Sequence, residues 1–96
     1  MIMEITELKQ TAGLMNSTDY KDRFKAEYYQ TKIRHEKLKD FNNRIEAAIA
    51  TRYAAPGQVK MPKHDCPTDM LKKQQETMGQ YLHILEVRAV VEEIEL

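Results

Sequence analysis

Two long amphipathic stretches, residues 17–53 and 68–96, are separated by a segment holding all three prolines, and together they make up most of the chain. Neither stretch contains proline, and the first has no glycine. The spacing therefore predicts an all-α hairpin: a short N-terminal helix in an arm over 1–16, a long helix over 17–53, a loop over 54–67 and a second long helix over 68–96, forming one domain. At 1.5 Å per residue the first long helix would measure about 55 Å, far beyond the usual globular helix.

In the arm, Ile5, Leu8, Ala12 and Met15 recur at helical spacing before Asn16-Ser17-Thr18-Asp19, where Asn16 or Ser17 is the expected N-cap of the long helix. The apolar stripe of that helix uses Phe24, Leu38 and Ile45 at one heptad position and Tyr20, Phe41 and Ala48 at another, widened by Tyr28 and Ile49. Glu27, Thr31, Arg34 and His35 interrupt it, and polar groups in a seam are costly unless they pair, reach solvent or hold a ligand. In the second long helix Pro67 is expected in the first turn, and Leu71, Gln75, Met78, Leu82, Leu85 and Ala89 form one face. Tyr81, Ile84, Val87 and Val91 broaden that face beyond what one partner helix can cover. A chain of 96 residues buries only about 60–65% of its unfolded surface, so assembly as a homo-oligomer is expected.

Charge is balanced at a formal net of zero, but unevenly placed. Residues 17–53 carry nine Lys/Arg against six Asp/Glu, and 68–96 carry three against six. The helices should attract each other, with most cations on the first. The neutral total and the absence of a recognised reading module argue against nucleic acid as partner. Cys66 is the single cysteine, which excludes an internal disulfide and fits a reducing compartment. With no signal-peptide pattern and no membrane-length apolar run, a soluble, intracellular protein is expected.

The set Arg23-Phe24, Glu27, Lys32-Ile33, Lys37-Leu38 and Phe41, followed by Leu71-Lys72-Lys73-Gln74, Met78, Tyr81, Ile84-Leu85 and Arg88, resembles the small phage-encoded helical-hairpin proteins of crAss-like and other tailed phages. The resemblance spans both long helices, about two-thirds of the chain. The hairpin is also similar to that of phage anti-defence sponge proteins, which oligomerise and sequester the cyclic nucleotide or cyclic ADP-ribose signals of CBASS and Thoeris immunity. The resemblance implies a non-enzymatic anti-defence protein that captures such a signal in the host cytoplasm. An alternative is a helical module that docks on a host or phage protein through its Ile84–Leu96 surface. The arm and the proline-rich loop depart from the usual short hairpin.

Tyr20, Arg23, Tyr28, Lys32, Arg34, His35 and Arg88 are the candidate ligand-binding residues. Aromatic rings stack on purines, and Arg or Lys supplies charge-assisted bonds to phosphate. The same tyrosines fit a hairpin core, and Arg23 and Lys32 fit ion pairs with Glu27 and other neighbours. In an antiparallel hairpin Arg88 falls near residues 20–27, where an Arg88–Glu27 bridge or an anion pocket of Arg23 and Arg88 could form. His64-Asp65-Cys66 lacks the spaced second pair of a zinc site, and no cofactor or catalytic signature is found. Gly79, inside the second long helix, costs roughly 1 kcal/mol relative to alanine, and close helix approach would explain it. The Glu92–Leu96 tail reads as a solvated helix end.

Overall fold

A computed structural model describes residue 5 and residues 7–96. The described chain is all-α: a 3-10 turn, Leu8–Thr11, runs into α1, Ala12–Met15, followed by α2, Tyr20–Thr51, and α3, Thr68–Val91. Among the described residues there is no strand. Residues 1–4 and 6 of the expected arm lie outside the described residues.

α2 starts later than its sequence suggests. Its N-cap is Asp19, whose carboxylate accepts from the Lys21 amide at 3.0 Å. Ser17, one of the two expected caps, instead accepts from the Asp19 amide and donates to Asp22. A carboxylate at the cap satisfies a free amide and adds favourable charge at the positive end, which a serine hydroxyl does not. α2 ends at Thr51, so Tyr53 lies in the following turn and is 84% exposed. Pro67 takes the N-cap of α3 rather than its first turn.

α2 is about 48 Å long at 1.5 Å per residue, and the molecule measures 53 × 24 × 23 Å. Its radius of gyration, 17.1 Å, exceeds the roughly 12–13 Å of a compact domain of this length. The rod shape leaves little room for a continuous core. One apolar cluster sits at the open end of the hairpin, where Phe24 and Tyr28 of α2 meet Leu82, Leu85, Ala89 and Ile94. Ile45 and Ala48 are buried nearer the loop, where the His64 ring packs edge-on to Phe41. Between the two, the polar His35, Asn42 and Gln75 alternate with the half-buried Leu38 and Met78.

The C-terminal segment is a cap, not a solvated helix end. Glu93 adopts a left-handed φ of 56°, and the Ile94 amide returns to the Ala89 carbonyl at 2.8 Å while the Glu93 amide reaches that of Val90. This Schellman arrangement folds the chain back and buries Ile94 in the open-end cluster.

The arm packs on α2 of its own chain. Thr11, 1% exposed, donates to the Leu8 carbonyl and accepts from the Gln30 amide at 3.0 Å. Ala26, Gln30 and Ile33 recur at helical spacing on α2, and the buried Ala26 and Ile33 stand outside the α2–α3 cluster. α2 therefore buries two faces.

Candidate functional site

The antiparallel pairing brings Arg88 to the start of α2, as its position on the second helix predicts. Its guanidinium lies 5.1 Å from the Phe24 ring centroid and donates to the Tyr20 hydroxyl at 2.7 Å and to the Glu92 carboxylate at 2.9 Å. The Tyr20 hydroxyl in turn donates to Glu92 at 2.9 Å. The four side chains form one aromatic and cationic cluster at the open end. The bond to Glu92 raises the Arg88 pKa above its ordinary value, and the bonds from Tyr20 and then Arg88 hold the Glu92 carboxyl below the usual carboxylate range.

The expected Arg88–Glu27 bridge does not form. Arg88 takes Glu92 one turn along its own helix, within (i, i+4) reach, and Glu27 accepts from the Tyr81 hydroxyl at 3.0 Å. Burial, then the Glu27 bond, raises the Tyr81 pKa. Arg23 donates to the Ser17 carbonyl at 3.0 Å. Its guanidinium thereby holds the linker before α2.

Tyr28 is buried in the cluster, edge-on to Tyr29, and Lys32 lies 5.9 Å from its ring centroid. Lys32 thus rests on an aromatic face, where its charge is attracted by the ring, and not on Glu27. Burial and the nearby Glu86 carboxylate raise the Tyr28 pKa. Arg34 is exposed, not set in the seam as the stripe suggests, so it has no buried charge to compensate. His35 does enter the seam, half-buried against Gly79 of α3.

The structure therefore divides the candidates. Tyr20, Tyr28, Lys32 and Arg88 gather around the open-end core, Arg23 turns to the linker, Arg34 faces outward, and His35 lies midway along the hairpin. Two further residues escape the sequence reading. Glu92 completes the open-end cluster, and its (i, i+4) spacing from Arg88 is the signal for it. Asn42, 3% exposed, donates to the Leu71 carbonyl at 3.2 Å and to Gln75 at 2.9 Å. It stands seven residues after His35, at the same heptad position. Among the described residues no group of His, Cys, Asp and Glu could hold a metal ion, and no helix is long and apolar enough to cross a membrane.

Fold and site together define a two-helix hairpin with a cationic, aromatic open end and a middle interrupted by polar residues. The Sequestin family profile matches residues 18–91, spanning α2, the loop and α3, and the chain belongs to the Sequestin family. The match covers the same two helices that carry the resemblance to phage hairpin proteins. No curated protein and no solved structure matches the chain.

Proposed function

We propose that this Sequestin-family protein is a phage anti-defence protein that sequesters, without cleaving, a cyclic nucleotide or cyclic ADP-ribose-type immune signal in the host cytoplasm. The observation that carries the reading is the family match across both long helices. The open-end cluster supplies suitable chemistry. Arg88 is part-exposed, and in the free protein its guanidinium is held by Glu92. A phosphate competes with that carboxylate for the same donors. Tyr20, 47% exposed, offers a ring face for stacking, and Lys32 adds a second cation one helical stretch away. Assembly of copies would place two such clusters around a two-fold ligand.

Native mass spectrometry of the purified protein with a panel of cyclic di- and trinucleotides and cyclic ADP-ribose isomers tests this. Stoichiometric, saturable retention is expected, with the ligand released intact on denaturation. Arg88→Ala should lower retention at least tenfold while the assembly persists. Retention of nothing in the panel, or chemical turnover of the ligand, refutes the reading.

The second reading, a helical module that docks on a host or phage protein, is favoured by one observation. Tyr81, Ile84, Val87 and Val91 on α3 remain 40–76% exposed. It predicts that Val91→Asp disrupts a protein complex while Arg88→Ala leaves it intact.

A further inference from the structure

Midway along the hairpin α2 and α3 border a cleft of about 400 Å³, lined among others by His35, Asn42, Glu46, Lys72, Gln75 and Gly79. That volume lies within the range of small-molecule sites. Two of the lining residues each carry a buried polar atom without a hydrogen-bond partner. Asn42 Nδ2 serves the Leu71 carbonyl and Gln75 Oε1. Turning the amide over would set oxygen against the Leu71 carbonyl, acceptor against acceptor, so Oδ1 is committed to the other direction. There it is buried and unpartnered. His35 Nδ1 is also buried without a hydrogen bond, with the Glu36 carboxylate 3.6 Å away, while Nε2 is the ring nitrogen turned to Gly79. Buried polar atoms are nearly always satisfied, so the unpartnered Asn42 Oδ1 calls for a reason.

Gly79 gives a third observation. A Cβ added there would meet only His35 Nε2, at 3.4 Å, an ordinary contact. Alanine would fit the packing and favour the helix, so the approach of α2 does not demand glycine. What glycine leaves is bare α3 backbone beside His35 and Asn42.

We propose that this cleft binds a flat heterocycle carrying an N–H donor edge, the amino or amide edge of a nucleobase, which lies over Gly79 and donates to Asn42 Oδ1. His35 supplies the neighbouring donor or acceptor according to its tautomer. Asn42 Oδ1 is shielded in the free hairpin, so binding requires the helices to part slightly at Gly79, where His35 is the one side chain an added Cβ would meet. The charges at the cleft select against a bare phosphate: Glu46 and Glu76 outnumber Lys72, which sits 4.0 Å from Glu46. The cleft thus differs in chemistry from the Arg88 cluster. It is also separate in place, since Phe24 and His35 are about 16 Å apart along α2. The inference rests on the sequestration reading only for the source of the heterocycle, the base of the captured signal.

Titration of ¹⁵N-labelled protein with adenosine and with guanosine tests the cleft alone. Saturable shifts of the Gly79 backbone amide and the Asn42 side-chain amide are expected with at least one nucleoside. Gly79→Ala should weaken that binding at least tenfold without lowering the melting temperature, and Gly79→Leu, which fills the cleft, should abolish it. Shifts confined to other residues, no shifts at all, or unchanged affinity in folded Gly79→Ala overturns the proposal. The two readings fail separately. Cyclic nucleotides retained undiminished by folded Gly79→Leu would remove the cleft and leave sequestration standing. Nucleosides that bind at Gly79 while no cyclic nucleotide is retained would do the reverse.

Discussion

Glu93 holds a backbone conformation that L-residues avoid, with φ at 56°. The left-handed region costs a residue with a Cβ about 1–2 kcal/mol, and glycine is free of that cost. Glu93 accepts it because the turn lets the Ile94 amide reach Ala89 and brings the Ile94 side chain into the core. The bond that Lys21 makes to Glu93 uses the backbone carbonyl, which a substitution retains. Glu93→Gly is therefore expected to stabilise the fold by about 1 kcal/mol, read as a higher urea midpoint with unchanged slope. Its neighbour Glu92 gives a pH signature. Bonds from Tyr20 and Arg88 hold its carboxyl below the ordinary value of 4.5. As pH falls the unfolded chain takes up that proton first, so the contribution of Glu92 is complete above about pH 4.5 and is lost on further acidification. Glu92→Gln should flatten the stability profile in that acid range. The effect is small because the pair is exposed, and a slope matching the parent would show that the bonds do not hold in solution.

Between α2 and α3, energy is concentrated where side chains are fully enclosed. Leu85, 1% exposed, sits in the open-end cluster. Leu85→Ala should cost about 2–5 kcal/mol, a large fraction of the 5–15 kcal/mol that holds most domains together. Thermal denaturation measures it, and a loss under 1 kcal/mol would mean that this cluster is not the core. The α3 face was legible in the sequence: Leu82, Leu85 and Ala89 are buried, with Leu71, Gln75 and Met78 half-buried behind them. α2 was legible only in part. Phe24, Tyr28, Ile45 and Ala48 follow the expected stripe, whereas Ala26 and Ile33 belong to a second face. Periodicity within one helix cannot assign that face, because its partner is a short arm held by Thr11 and Gln30. The same limit applies to the site. Arg88 could be placed by antiparallel register, but its choice of Glu92 over Glu27 depends on where α3 ends. Asn42 matters through a carbonyl on another helix, which no spacing reveals.

Taken whole, the hairpin is a rod with an unpaired side. Ile84, Val87 and Val91 form an exposed apolar row on α3, flanked by Tyr81, whose hydroxyl reaches Glu27 of α2, and a second copy laid along this row would remove it from water. Val91 is 76% exposed, so Val91→Asp should leave the fold intact while shifting the protein toward a smaller species in analytical ultracentrifugation. An unchanged sedimentation coefficient would assign the row to a different partner.

The position of the core at the open end also governs how the chain reaches this structure. Phe24 and Tyr28 must find Leu82, Leu85, Ala89 and Ile94, partners more than fifty residues away along the chain. The loop-proximal half buries Ile45 and Ala48 but is interrupted by Asn42 and His35, so it returns less for closing first. The entropy of a long closure is thus spent before most of the apolar reward arrives. A helical hairpin would ordinarily zip from its turn. This one should fold slowly for its helix content, with a transition state that already joins its two distant ends.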